Sequence, residues 1–227
     1  MNLIEVTPER LLSRELNQIE TKNSPKLLYV SGSMKIPLPQ PRCAIVGTRE
    51  PSDEGQKYAR HLAEFLVKNS VTVISGLAKG IDTEAHKGAI ESGGQTIAVL
   101  GTPLDKFYPI QNKELQKEIM QKHLAVSQYK LGQVVHPGNF ILRNRTMALL
   151  CDASIVIEAE ETSGTLSHAW EVLRLGRPLF ILGSVFERND LKWPEKMIKY
   201  GAIKLNEFSE ILEWLPSSDS NYELPEL

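Results

Sequence analysis

Short apolar runs alternate with amphipathic segments along most of the chain. Continuous apolar stretches predict buried strands at 43–46, 71–74, 96–100, 125–128, 154–157 and 178–182. Apolar residues three or four positions apart predict helices at 53–69, 82–91, 111–122, 140–150 and 166–175, with Asp82 as an N-cap. Strands without polar alternation, separated by helices, indicate a mainly parallel sheet covered on both faces. The pattern therefore predicts an α/β fold.

The two ends of the chain carry weaker signals. Residues 26–30 suit an edge strand, a short helix is predicted to begin at Pro8, and residues 208–215 form an amphipathic piece. Glu5 and Glu9 interrupt the N-terminal apolar residues, and no apolar run reaches membrane-spanning length. We therefore expect a cytoplasmic protein without a membrane partner.

Net charge, the two cysteines and the spacing of the histidines limit the kinds of ligand and metal site that the chain can have. The 227 residues carry a formal net charge of -2, so the binding of a polyanion requires a local basic patch. Cys43 and Cys151 lie in apolar surroundings and are expected to be buried free thiols. The five histidines are scattered without metal-ligand spacing, and no metal site is expected.

Ligands of parallel sheets bind beyond the carboxyl ends of the strands, so candidate binding residues are expected in the loops that follow the strands. After the first predicted strand come Gly47, Thr48 and Arg49, without the G-x-G-x-x-G dinucleotide pattern. After the second come Ser75, Gly76, Lys79 and Gly80. There, backbone N–H groups and a helix N-terminus could bind an anion, or the glycines could serve only close packing.

Two later segments add candidate residues. Asn139, Phe140, Arg143, Asn144 and Arg145 combine an aromatic ring with arginines, as single-strand stacking sites do. The alternative places Phe140 in the core and pairs the arginines with carboxylates. Ser163, Gly164 and Thr165 open a helix in a geometry that suits an anion. His86 follows Asp82 by four residues and is expected to hydrogen-bond to it rather than to form a catalytic dyad, because no nucleophile accompanies them.

Together these segments resemble the DNA-processing protein A family, also called Smf. "IVGTR", "SGLAKGID", "TIAVLGTPLDKFYP", "GNFILRNR" and "SGTLSHA" follow that family's order and spacing between about residues 27 and 182. The resemblance implies an extended, doubly wound Rossmann-like domain that binds single-stranded DNA and uses no cofactor. It also implies a homodimer and the loading of a RecA-type recombinase in recombination and natural transformation.

The resemblance also assigns roles to the candidate residues. The glycines would cradle DNA phosphates, Arg49 and Phe140 would approach bases or backbone, and Lys79, Arg143 and Arg145 would add positive charge. Many family members carry a helical domain before the core and a winged helix after it. Here the expectation is a minimal member: an N-terminal extension over 1–26, the Rossmann-like DNA-binding domain over 27–215, and a disordered acidic tail over 216–227.

Two other functional classes stay open at this point. A phosphoribohydrolase shares the Rossmann core, and Gly164 and Thr165 fit its phosphate loop. His168, however, stands where that family has a glutamate, so hydrolysis lacks an obvious acid or base and the chain is expected not to be an enzyme. The third class is a protein-interaction module of a mobile-element or phage-defence system, because fold alone does not give function.

Overall fold

A computed structural model of the protein, which describes residues 3–217, contains a nine-stranded mixed sheet. The strands are β1 (Ile4–Val6), β2 (Leu28–Gly32), β3 (Arg42–Val46), β4 (Thr72–Ser75), β5 (Thr96–Leu100), β6 (Leu124–Ser127), β7 (Ala153–Val156), β8 (Leu179–Leu182) and β9 (Ile203–Leu205). Their spatial order is β1-β2-β6-β5-β4-β3-β7-β8-β9. β2 runs antiparallel to β1 and β6, and the other neighbours are parallel. The predicted α/β class is confirmed.

The helices connect these strands. They are α1 (Pro8–Leu12), α2 (Gln18–Asn23), α3 (Asp53–Lys68), α4 (Ile81–Glu91), α5 (Lys113–Lys122), α6 (Gly138–Leu150), α7 (Thr165–Arg174) and α8 (Trp193–Ile198). Short 3-10 helices span Ile110–Asn112, Gly183–Glu187 and Phe208–Trp214. α3 packs against α4, and α6 packs against α7. Because parallel crossovers are right-handed, α3 and α4 cover one face of the sheet and α6 and α7 the other, which is a doubly wound arrangement.

The central strands form the core, as their apolar runs predict. Every residue of β3, β4, β5, β7 and β8 is buried. Cys43 and Cys151 are buried free thiols, as expected, and burial raises the pKa of both. A sheet covered on both faces leaves its polar backbone accessible only at the strand ends and edges, which is where a ligand can approach.

The N-terminal residues are more structured than the sequence pattern indicates. The predicted edge position of strand 26–30 is wrong, because β1 pairs with β2 on its outer side. β1 escapes prediction since it has three residues, of which Ile4 and Glu5 are exposed. The helix predicted at Pro8 is present, and its Leu11 is fully buried. Glu20 of α2 binds both Arg14 and Arg177 and thereby ties this segment to the main body. The domain boundary at residue 26 stays a prediction.

The C-terminal part also contains elements that the sequence pattern does not reveal. α8 and β9 are both short, and β9 extends the sheet beyond β8. The amphipathic piece at 208–215 is a 3-10 helix whose Ile211 is buried. The expected acidic tail lies outside the described residues from 218 onward. Within residues 3–217, no helix is both long enough and apolar enough to cross a membrane.

Two buried histidines make the stability of this fold sensitive to acid. Burial lowers the pKa of His86 to about 3 and that of His168 to about 4, whereas an unfolded histidine titrates near 6.5. Below that pH the unfolded chain binds protons that the native chain does not, so stability is complete above pH 6.5 and falls as the pH drops. We expect a loss of about 2 kcal/mol per histidine between pH 6.5 and 5.

Urea unfolding at pH 7.5, 6.5 and 5 measures this loss. His168→Gln should flatten the decline, while His61→Gln, at an exposed position, should retain the wild-type decline. Equal stability of the wild type at pH 7.5 and 5 would contradict the burial of neutral histidines.

Candidate nucleic-acid interface

The strand order reverses between β3 and β7, and the carboxyl ends of the central strands open there into two adjoining cavities. The larger, which we call the switch-point cavity, has a volume of about 480 Å³ and lies between the loop after β3 and the starts of α6 and α7. The smaller, which we call the cationic cavity, has a volume of about 170 Å³ and lies at the ends of β4 and β5. Both are lined by Arg49, Ala78, Phe140 and Arg143, which form the wall between them.

Arg143 is the central part of that wall. Its Nη1 donates to the carbonyl of Val99 at 3.2 Å and lies 3.9 Å from Oδ2 of Asp82. Its guanidinium lies against Gly76, where a Cβ would come within 1.3 Å of Nη1. Only 7% of the side chain is exposed, and burial lowers the pKa of Arg143 while it raises that of Asp82. The Nε of Arg143 has no hydrogen-bond partner among the described residues.

Asp82 lies in the first turn of α4 and accepts hydrogen bonds from the backbone of the loop between β4 and α4. The predicted N-cap role is wrong, because Gly80 occupies the cap position and Asp82 is the second residue of α4. Its Oδ2 accepts hydrogen bonds from the backbone N–H groups of Gly76 at 3.2 Å and Ala78 at 3.3 Å. The N–H of Gly76 is therefore occupied by a carboxylate rather than open to a phosphate. The predicted Asp82–His86 bond is also wrong, since Nδ1 of His86 pairs with Oγ1 of Thr96 at 2.7 Å.

Gly47 and Gly80 hold two loops together. A Cβ on Gly80, whose φ is +85°, would lie 2.4 Å from the carbonyl oxygen of Thr48. A Cβ on Gly47 would lie 2.5 Å from Cγ1 of Ile81. The close-packing alternative therefore accounts for Gly80, and close packing also explains the glycine at position 47. Ser75 is fully buried and donates to the carbonyl of Ile45 at 2.6 Å, so it lines neither cavity.

α6 turns part of its surface toward the cavities. Phe140, Arg143 and Asn144 line them, since residues three and four positions apart share a helix face. Arg145 follows directly on another face and lines neither cavity. Asn139 also lies outside both, with its carbonyl accepting from the hydroxyl of Tyr129 at 3.0 Å.

The start of α7 forms the far side of the switch-point cavity, where Ser163, Gly164 and Thr165 all line it. The hydroxyl of Thr165 donates to the carbonyl of Gly47 at 2.9 Å, and Oγ of Ser163 accepts from the N–H of Thr165 at 3.2 Å. The amide of Asn144 donates to the carbonyl of Gly164 at 3.2 Å. These residues line one cavity, but several of their polar groups are already bonded within the protein.

Tyr108 lines the cationic cavity and is absent from the candidate residues predicted from sequence. Half of its side chain is exposed, and its ring centroid lies 5.1 Å from that of Phe140. Phe140 itself is half-buried against Gly101, where a Cβ would come within 2.5 Å of the ring. The "DKFYP" motif holds Tyr108, so the signal is present in the sequence, but only the folded chain brings it beside Phe140.

The two cavities differ in charge. The cationic cavity is lined by Arg49, Lys79 and Arg143, and within residues 3–217 no carboxylate lines it. The switch-point cavity has Arg49 and Arg143 together with three carboxylates that were not predicted, those of Glu50, Asp82 and Glu160. The chain therefore concentrates positive charge locally despite its net charge of -2.

His168 lines the switch-point cavity as a neutral structural group. Its Nε2 pairs with Oγ of Ser154 at 3.0 Å, and its Nδ1 pairs with the carbonyl of Asn144 at 3.2 Å. Burial lowers its pKa to about 4. No group of three metal-binding side chains is present in the described part of the chain.

Comparison with known proteins assigns this arrangement to a family. Residues 7–216 match the model of the DNA recombination-mediator protein A family. The chain belongs to this family. It is 41% identical to DNA processing protein DprA of Streptococcus pneumoniae over 74% of this chain and 59% of that protein. It is 41% identical to protein Smf of Synechocystis over 72% of this chain and 42% of that protein. The chain thus spans about half the length of these two curated relatives.

Solved structures of family members share the fold. The S. pneumoniae protein superposes with a TM-score of 0.78 at 32% identity and covers 95% of this chain and 75% of its own. DNA processing protein A from Helicobacter pylori, whose single-stranded DNA binding mode was determined, gives 0.77 at 27% identity over 93% of this chain and 94% of its own. A molybdenum cofactor binding protein from Rippkaea orientalis, at 0.55 and 16% identity over 77% of this chain and 94% of its own, shares the fold alone.

Gly76 is the glycine on which the wall depends. Gly76→Ala would place a Cβ on the Arg143 guanidinium, which is already fixed by Val99. We expect this substitution to destabilise the protein by about 1–3 kcal/mol, the usual cost of overpacking. Gly164→Ala is the matched control, because nothing lies within 4 Å of the added Cβ and the residue has helical backbone angles. Urea denaturation compares the two, and equal midpoints would show that Arg143 moves away freely.

Proposed function

We propose that the chain binds single-stranded DNA across the wall between the two cavities, which includes Arg49, Phe140 and Arg143. One observation carries the proposal: the cationic cavity combines three positive side chains with the Tyr108–Phe140 ring pair and, within residues 3–217, no lining carboxylate. Membership of the family and the similarity to the H. pylori protein support it.

The cavity offers what an unpaired strand needs. Positive side chains attract phosphates and release counterions from the strand. An aromatic ring at the surface stacks on a base that has left its partner, which is a sequence-tolerant interaction. The bases of a duplex are already stacked and paired, so they have less to gain from these rings. We therefore expect single strands to be preferred over a blunt duplex.

The wider role is proposed from the family. We infer that the protein acts in the cytoplasm as a homodimer, takes part in DNA recombination or uptake, and assists a RecA-type recombinase. We also infer that it binds rather than reacts, because His168 is neutral and fully bonded where a hydrolase needs a carboxylate. Release of free base from nucleoside monophosphates would overturn this inference and favour the phosphoribohydrolase alternative.

Arg49 is expected to contact phosphate. It is exposed, lines both cavities, and forms no ion pair within residues 3–217. Arg49→Ala should reduce the slope of log affinity against log salt by roughly 0.7, the value for one lost single-strand contact. Arg145→Ala is the matched control, since it removes the same charge from a helix position outside both cavities. Fluorescence anisotropy across a salt series measures both slopes. The placement of the strand is wrong if Arg145→Ala lowers the slope and Arg49→Ala does not.

Tyr108 is expected to stack on a base. Tyr108→Ala should weaken binding by about 1–3 kcal/mol with an unchanged salt slope, because stacking releases no counterion. Its half-exposed ring should leave the melting temperature nearly unchanged. Phe140→Ala should weaken binding and also lower the melting temperature, since it leaves a cavity beside Gly101. Thermal melts and anisotropy on the same preparations separate the two residues. Full affinity of Tyr108→Ala would assign the ring a purely structural role.

A further inference from the structure

We propose that Glu158 is a positioning residue for DNA binding, because its side chain fixes the loop that presents Arg49 to the two cavities. This inference rests on the proposed binding of single-stranded DNA through Arg49. It has an unusual consequence: removal of a negative charge beside the loop should weaken the binding of a polyanion. The direct electrostatic effect of the same change has the opposite sign.

The loop between β3 and α3 is anchored at both ends by Glu158. At the start of the loop, the backbone N–H of Thr48 donates to the carbonyl of Glu158 at 2.7 Å. At its end, the backbone N–H of Ser52 donates to Oε2 of Glu158 at 3.0 Å, and the Ser52 hydroxyl donates to Oε1. Arg49 lies between these anchors, with an exposed side chain that lines both cavities. The carboxylate of Glu158 therefore fixes the far end of the segment that carries Arg49.

The same carboxylate fills the start of α3. Ser52 is the N-cap of this helix, and its Oγ accepts from the backbone N–H of Gly55 at 2.9 Å. A Cβ on Gly55 would lie 2.5 Å from Cδ of Glu158, so the absence of a side chain there makes room for the carboxylate. A negative group is favourable at a helix N-terminus, where nucleotide-binding folds place a phosphate. In this chain a carboxylate of the protein takes that place and holds the loop without a ligand.

Glu158 has no other task among the described residues. Its side chain forms no ion pair within residues 3–217, and both of its side-chain hydrogen bonds go to Ser52. Glu160, two positions later, is instead held by Arg188 through contacts of 2.7 and 3.0 Å. Asp82 is a parallel case, since it accepts from the backbone of the loop after β4. The effect of the Glu158 side chain is therefore local to the Arg49 loop and the start of α3.

Loss of this side chain should release only one end of the loop. The Thr48 contact is made by the backbone of residue 158 and is retained in Glu158→Ala. Ser52 loses both of its contacts with the carboxylate. Arg49 then has more conformations available, and ordering it on a phosphate costs affinity.

Fluorescence anisotropy with oligo(dT) across a salt series tests the proposal. Glu158→Ala should weaken binding about three- to tenfold, within the range of coupling between residues that share one structural unit. It should also lower the slope of log affinity against log salt by roughly 0.7, as Arg49→Ala does, because one phosphate contact is lost. A purely structural role of Glu158 would leave the slope of the folded protein unchanged.

Two further variants separate position from charge. Glu158→Gln removes the charge but keeps an oxygen that can accept from the N–H of Ser52, so its affinity and salt slope should stay at the wild-type values. Glu160→Gln removes one charge from an exposed position that lines the switch-point cavity, and it should not weaken binding. A loss in Glu158→Gln as large as that in Glu158→Ala would contradict positioning through hydrogen bonds.

A double-mutant cycle with Arg49 decides between positioning and a separate effect. In the Arg49→Ala background, Glu158→Ala should change affinity by less than about twofold, because the side chain to be positioned is gone. An equal loss in both backgrounds would overturn the inference and leave the proposed DNA binding intact.

Ser52→Ala keeps the cycle informative if Glu158→Ala does not fold. It removes the hydroxyl that donates to Glu158 and preserves every charge. It should weaken binding in the wild-type background and not in the Arg49→Ala background, and an equal loss in both would again overturn the inference. Failure of the wild type to bind oligo(dT), or an unchanged salt slope in Arg49→Ala, would instead contradict the proposed function and, with it, this inference.

Discussion

The guanidinium of Arg143 is the interaction on which the candidate site depends. It joins α6 to the ends of β4 and β5, through the Val99 carbonyl, the Asp82 carboxylate and the flat surface of Gly76. A buried charge is costly unless it is paired and hydrogen-bonded. Here the pairing is incomplete, since Asp82 lies 3.9 Å away and Nε has no partner among the described residues. The chain thus holds a partly satisfied cation at the boundary of the two cavities.

The glycine loops serve this arrangement indirectly. Gly47 and Gly80 let the loops after β3 and β4 pack against each other, and Gly76 makes room for Arg143. Glycines that follow strands in this way often bind phosphate, yet the space at each of these three is filled by protein atoms. Side chains, rather than glycine backbone, then present the charge: Arg49 and Lys79 are both exposed on these loops. The loops thereby gather positive residues at one edge of the sheet in a chain whose net charge is -2.

The sequence predicts the strands and helices that have a strong hydrophobic pattern. It does not predict elements that form only because another part of the fold pairs with them. Apolar runs predict β3, β4, β5, β7 and β8, since strands buried on both faces need apolar residues throughout. β1 and β9 have three residues each, too few for a pattern, and form because a neighbouring strand offers backbone partners.

At the site, loop position and motif indicate Arg49, Lys79, Phe140 and Arg143, all of which line a cavity. Sequence reasoning does not show that Ser75 faces the core, that Arg145 lies on another helix face, or that Tyr108 reaches Phe140. Those facts depend on side-chain direction and on contacts between distant segments.

The proposal at the centre of this work is that single-stranded DNA crosses the wall between the two cavities. Photocrosslinking with 5-iodo-deoxyuridine oligonucleotides, followed by mass spectrometry, tests it directly, because this base crosslinks to aromatic rings in contact with it. We expect crosslinks to Tyr108 and Phe140. Crosslinks confined to Trp170 and Tyr200, a ring pair beside Lys196 that lines neither cavity, would contradict it.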